Sequence, residues 1–446
     1  MKETLIFLLI CCLGFYGHAQ NPIVPNVGLN DPHIHIFKDT AYVYASHDKS
    51  KNNEEFVMED WWVWSSPDLV NWTERSKLKP ADTYIGKDYN RCWATDVGYK
   101  DGKYYWYFSE GNEQTGVVMS NTPVGPWEDP LKKPLLTSGL TPTHEYDISI
   151  FEEDGEHYII FGVWNYYIAK LNADMISLAE EPKKITINNP RGPYNRDGSN
   201  TKMPTDDKPF LHRYNGMYYL SWGCFYATSD NVYGPYDYKD SIVKESSFAD
   251  GYSEPTWPNG FLQGRHGSFF EWHNQWYFAY CDISQTGNRY FRDTFISYVH
   301  YRESGEIETI RVDGIGVGQY DTSQGYIEAE DYFAAKNVDK IENPIGGFSA
   351  IATKEDAFLI FPNINNIADK SSIQFEYVTN GMATIELRED SEEGRLIRTC
   401  DFSANDSRAY KKMSFPVTNL KNVKSLCIVF KNNSVKDLKI NRFQFN

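Results

Sequence analysis

Four aspartates and one histidine recur at the same place in five similar stretches of the chain, and gathered carboxyl groups can hydrolyse an acetal. Asp31, Asp96, Asp147, Asp207 and His266 each lead into a short apolar strand, from Asp31-Pro32-His33-Ile34 to His266-Gly267-Ser268-Phe269. Acetal hydrolysis needs one carboxyl to protonate the leaving oxygen and a second to activate water. For inversion the two stand about 6.5–9.5 Å apart, leaving room for that water. A third, crowded carboxyl raises its neighbours' pKa and keeps the acid protonated near neutrality. A lone Asp before a strand is ordinarily a turn or cap residue. Five polar residues in one recurring position argue for a shared place in space.

The elements that must bring them together are hairpins. Each lead strand is followed by a tight turn and a strand dense in aromatics, such as Tyr104-Tyr105-Trp106-Tyr107-Phe108. The turns read Lys38-Asp39, Asp101-Gly102, Asp154-Gly155, Asn215-Gly216 and His273-Asn274, and Asp-Gly and Asn-Gly supply the positive φ of two-residue hairpins. Successive leads are 65, 51, 60 and 59 residues apart, room for about four strands, the size of a propeller blade. The expected architecture is all-β: a five-bladed β-propeller over residues 20–317 whose lead strands line one channel. After the glycine-rich stretch Val312–Gly318 the pattern turns to short alternating strands, which predicts a jelly-roll-like β-sandwich over residues 320–446.

Composition narrows the partner. The 446 residues carry 16% aromatics and a formal net charge of -17. That charge repels nucleic acid and leaves an uncharged oligo- or polysaccharide as the expected ligand, with no organic cofactor. A basic start, an apolar run from Leu5 to Tyr16 and Gly17-His18-Ala19 describe a signal peptide over residues 1–19, too short to span a bilayer. The mature chain is expected outside the cytoplasm, periplasmic or secreted, as a monomer or weak oligomer. Cys11 and Cys12 raise a lipoprotein alternative, although neither follows the small residue that lipid attachment favours. The remaining Cys92, Cys224, Cys281, Cys400 and Cys427 are too scattered for a disulfide framework.

In order and spacing these motifs resemble glycoside hydrolase family 43, five-bladed propeller enzymes that are mainly arabinofuranosidases, β-xylosidases and arabinanases. The resemblance implies Asp31, in Asn30-Asp31-Pro32, as general base and Asp147, in Tyr146-Asp147-Ile148-Ser149, as the modulator of the acid's pKa. It implies substrate contacts for Trp93, Asp96, Arg292 and His266, and a channel calcium ion held through His266. One departure stands out. The family's general acid is a Glu in a Glu-x-Pro context, whereas here the chain reads Asp206-Asp207-Lys208-Pro209. Asp207 is the expected acid on a side chain one methylene shorter, with Glu254 the alternative. The second domain resembles a family-6 carbohydrate-binding module, which implies a structural calcium ion at Glu328 and Glu330. Its closing motif carries Lys439 and Arg442, and the segment has no Trp, which leaves sugar binding there open. The function implied is an inverting, exo-acting hydrolase that removes arabinofuranosyl or xylosyl units. The rival readings are a retaining fructan or sucrose hydrolase of the related propeller clan and a catalytically dead sugar binder.

Overall fold

The computed structural model describes residues 19–191, 205–252, 265–343, 347–404 and 409–446. The expected signal peptide lies, up to residue 18, outside the described residues, as does Glu254. Among the described residues strands dominate, and the only helical pieces are single 3-10 turns.

Residues 29–299 build five antiparallel hairpin sheets. The first holds β1 (Leu29–Ile36), β2 (Ala41–Asp48), β3 (Met58–Ser66) and β4 (Thr73–Leu78), and the second β5 (Cys92–Lys100), β6 (Lys103–Glu110) and β7 (Gln114–Ser120). The third holds β8 (Ser149–Glu153), β9 (Glu156–Phe161), β10 (Tyr167–Lys170) and β11 (Lys183–Lys184). Next come β12 (Ile187–Asn188), β13 (Pro209–Tyr214), β14 (Met217–Trp222), β15 (Phe225–Ser229) and β16 (Tyr236–Ser241), with β12 added parallel to β16 at the outer edge. The fifth holds β17 (Gly267–Trp272), β18 (Gln275–Asp282) and β19 (Asp293–Val299). All five turns between first and second strands have both central residues at positive φ, Asp101 at 50° and Gly102 at 83° for example, the geometry that matches strand twist.

The first strands touch in a cycle: β1 meets β5, β5 meets β8, β8 meets β13, β13 meets β17, and β17 meets β1. Each of four gaps between neighbouring sheets is filled by its own aromatic cluster, Trp61, Trp106 and Phe108 in the first and Phe210, Phe269 and Phe278 in the fourth. Trp61, Trp106 and Trp222 are fully buried, so these tryptophans are core, and truncating one to Ala costs about 3–5 kcal/mol. The chain's beginning ties the last sheet to the first. Asn21 Nδ2 donates to the Ile296 carbonyl at 3.0 Å, Ile296 N–H donates back to Asn21 Oδ1 at 2.9 Å, and Gly28 N–H donates to Asp293 Oδ1 at 2.9 Å.

The C-terminal part is a sandwich of two sheets. One contains Val338–Glu342, Phe348–Ala352, Lys439–Phe445, Ser372–Val378 and Lys411–Pro416, the other Ala334–Lys336, Phe358–Phe361, Leu426–Phe430, Gly381–Glu389 and Leu396–Ala404. Inward Phe375, Phe402 and Phe443 join a core that continues through Tyr320 and Val317 to Tyr298 and Leu29, so the sandwich shares apolar surface with the first and fifth sheets. Cys92, Cys224, Cys281, Cys400 and Cys427 are buried and form no disulfide among the described residues.

Candidate active site

Asp31 leaves the ladder of β1. The register against β2 shifts between Asn30 and His33, and Asp31 sits at φ 47°, a conformation that Asp tolerates better than most residues. Such a bulge re-aims a side chain. Ser46 Oγ donates to Asp31 Oδ2 at 3.0 Å, Arg292 Nη1 donates to Oδ1 at 3.3 Å, and His266 Nδ1 lies 3.4 Å from the same oxygen. Burial pushes this carboxyl up, but Arg292, the His266 contact and Lys208 together hold it well below the usual carboxylate range. Asp31 is therefore ionised at neutral pH, as a general base must be.

Arg292 ties Asp31 to Asp48. Its backbone N–H and Nε donate to Asp48 Oδ2 at 2.8 and 3.1 Å, and Nη2 donates to Asp48 Oδ1 at 3.2 Å. Its fork thus serves as counter-ion to both Asp48 and Asp31. It does not pair with its chain neighbour Asp293, whose carboxylate instead caps backbone N–H groups. Asp48 is pushed by burial up to about 6, against the pull of Arg292.

On the other side of His266 from Asp31 are Asp206 and Asp207, with Asp147 near enough to feel the charges of Asp207 and Asp31, and each stands just before the first strand of its sheet. Asp147 has φ 56°, and its N–H donates to Ser109 Oγ at 3.1 Å. Burial, then the charges of Asp207 and Asp31, raise it well above the carboxylate range. Burial and Asp207 raise Asp206 likewise. The Asp207 side chain is 20% exposed against 7% for Asp31 and 4% for Asp206, so Asp207 can reach a leaving-group oxygen. His266 bridges the two sides, with Nε2 2.5 Å from Asp207 Oδ1. Burial pulls the imidazole pKa down, but Asp207, Asp206 and Asp31 raise it well above the ordinary value.

Asp96 is a correction. β5 shifts register between Trp93 and Thr95, and Asp96 pairs with Tyr107, two residues before Ser109, as His33 pairs with Tyr44, two before Ser46. Asp96 is thus the equivalent of His33, not of Asp31, and lies one step deeper. It is fully buried, accepts from the Val97 and Ile150 N–H groups at 2.7 and 2.6 Å, and meets His35 Nε2 at 2.6 Å and His33 Nδ1 at 2.8 Å. No face is left for a sugar hydroxyl. Trp93 is half-buried, 5.8 Å from Tyr146 ring to ring, beside the residue that precedes Asp147.

Sequence reasoning missed Lys208, Asp48 and Asp206. Lys208 is buried at φ 51°, and its Nζ donates to the Asp31 carbonyl at 3.0 Å. Its position beside Asp207 in Asp-Lys-Pro was the only available signal.

Among the described residues, three clusters bring possible metal ligands within 4.8 Å of one another: Asp31, His266 and Cys281; His33, His35 and Asp96; Asp206, Asp207 and His266. Calcium takes six to eight oxygen ligands, and the two ring nitrogens of His266 already face Asp31 Oδ1 at 3.4 Å and Asp207 Oδ1 at 2.5 Å. With carboxylates at both ring nitrogens, His266 does not fit a calcium ligand. In the sandwich, Arg311 Nη2 reaches Glu328 Oε1 at 3.4 Å and Nη1 reaches Glu330 Oε1 at 3.3 Å, while Glu330 Oε2 is buried without a partner. Burial, then Glu328 and Asp331, raise Glu330 well above the carboxylate range. That orphaned oxygen fits a hard cation.

An ionised carboxylate opposite an accessible one, with a third held protonated, on a cycle of hairpin sheets is the apparatus of a carboxylate-dependent glycosidase. Residues 19–307 match the Glycosyl hydrolases family 43 profile, and the chain belongs to that family. Residues 328–446 match Carbohydrate binding module (family 6). The chain is 27% identical over 338 residues to a xylosidase/arabinosidase of Bacteroides ovatus, covering 65% of this chain and 96% of that protein. It is 26% identical over 460 residues to an arabinoxylan arabinofuranohydrolase of Paenibacillus polymyxa, covering 90% and 69%. The solved family 43 arabinoxylan arabinofuranohydrolase from Bacillus subtilis shares the fold at TM-score 0.54 and 21% identity, covering 96% of this chain and 97% of that one.

Proposed function

We propose that the protein is an exported, inverting, exo-acting glycoside hydrolase that releases arabinofuranosyl or xylosyl units from plant-type polysaccharide or oligosaccharide. The observation that carries the reading is that Asp31 and the more accessible Asp207 meet opposite ring nitrogens of one buried histidine, His266, at 3.4 and 2.5 Å. Asp31 takes the proton of the attacking water, and Asp207, with the His266 imidazolium 2.5 Å from its Oδ1 as the source of the proton, protonates the glycosidic oxygen. Asp147 and His266 set the charge around Asp207, and Trp93 with Tyr146 offers an apolar wall to the sugar face. The five sheets are read as the blades of a five-bladed propeller over residues 20–317, and residues 320–446 as its accessory sandwich. A calcium ion at Glu330 and Glu328 is part of the proposal for the sandwich, where it steadies the fold and takes no part in hydrolysis. Relatives named xylosidase, arabinosidase and arabinofuranohydrolase support this substrate class and lend nothing to the fructan and non-catalytic readings.

The test uses the mature chain on aryl α-L-arabinofuranoside, aryl β-D-xyloside, arabinoxylan and arabinan, with the first-formed anomer followed by NMR. Release of single pentoses with inverted configuration is expected. A retained anomer removes Asp31 from the role of base.

A further inference from the structure

The disagreement between the expected channel calcium and the donors present points to Lys208. Three features of this residue are individually unfavourable. Its amine is buried, which costs free energy for any charged group. Its backbone is left-handed at φ 51°, uncommon outside glycine, Asn and Asp. It stands between Asp207 and the strand-opening Pro209, where a small residue suits that backbone better. A lysine in such a place is held by what its head group does. Nζ donates to the Asp31 carbonyl at 3.0 Å, and the carboxylates whose fields act on it are Asp31, Asp147 and Asp96, one from each of the first three sheets.

We propose that the Lys208 ammonium is a built-in cation of the channel: a positioning residue that holds Asp31 in its place through the Asp31 carbonyl and substitutes for a divalent metal ion there. The tether puts a positive charge that the chain itself supplies beside Asp31, where both ring nitrogens of His266 are turned to carboxylates. The inference rests on the hydrolase reading of Asp31.

The experiment combines initial rates on the best glycoside with calorimetric counting of bound calcium, on the full mature chain. Wild-type rates are expected to be unchanged by a calcium chelator. Lys208→Gly, which suits the left-handed backbone, is expected to lower kcat by about 100-fold with KM within about threefold. It also binds one calcium ion more than wild type, and millimolar calcium restores about tenfold of the lost rate. Lys208→Met, which fills the space without the charge, loses the rate and is not restored. Should Lys208→Met fail to fold, the glycine variant carries the test alone. The inference is overturned if chelation abolishes wild-type turnover and calcium restores it, or if Lys208→Gly keeps wild-type kcat. It is also overturned if Lys208→Gly binds no additional calcium. If no form hydrolyses any glycoside, the hydrolase reading fails, while the calcium count still decides whether the ammonium holds a cation's place.

Discussion

The rim and the floor of one channel contain the same kinds of side chain and do different work. At the rim, Asp31, Asp147, Asp207 and His266 meet with charges that are only partly matched, and Asp207 stays accessible. At the floor, Asp96 accepts two backbone N–H groups and meets two histidines from the first sheet while reaching Ile150 of the third. His33 is pushed by burial down to about 4, so it is neutral at pH 7. The floor is a rivet through three sheets. A carboxylate becomes chemical when its neighbours leave an oxygen free, and structural when they occupy every lone pair.

The contrast breaks if the rim and floor variants fail alike. Asp31→Asn is expected to lower kcat by about 10⁴-fold while far-ultraviolet circular dichroism keeps its strand signature. Asp207→Asn should lower kcat by about 10²–10³-fold on natural linkages and far less on a dinitrophenyl glycoside, whose leaving group needs no proton; equal losses on both assign the acid elsewhere. Asp96→Asn is predicted to destabilise the fold by about 1–3 kcal/mol in denaturant titrations, because it leaves a buried donor around this position without an acceptor, yet to leave KM of the folded enzyme within about twofold. Burial opposes but the two histidines outweigh it, so the Asp96 carboxyl lies below its ordinary value. Its stabilisation is present above about pH 4 and is lost as pH falls further.

Two smaller effects sharpen the comparison. Arg292→Met removes a cation that holds the Asp31 carboxyl down, so the acid limb of kcat/KM should move to higher pH by about 1–2 units; an unmoved limb means that Asp31 is not the titrating base. Trp93→Ala should raise KM about 5–10-fold, roughly 1–1.4 kcal/mol of lost sugar stacking, with kcat nearly unchanged.

Much of this was legible beforehand. Five aromatic hairpins with Asp-Gly, Asn-Gly and related turns announced five sheets, because those turns admit few other backbone paths, and Asp31, Asp147, Asp207 and His266 came together as their shared position implied. Asp96 shared the same motif position and still fell a step deeper, since the bulges that offset β1 and β5 leave no mark in a string of letters. Arg292 was legible, but its partner Asp48 was not, as the two are 244 residues apart.

What the sequence alone determined is the alternation, the turns and the supply of carboxyl groups, all properties of residues close along the chain. Which carboxylate is ionised, which is protonated and which is sealed was decided only by tertiary structure. Burial and neighbouring charge act through space, and here the neighbours that matter, Lys208 with Asp31 and His266 with Asp31, are 177 and 235 residues apart.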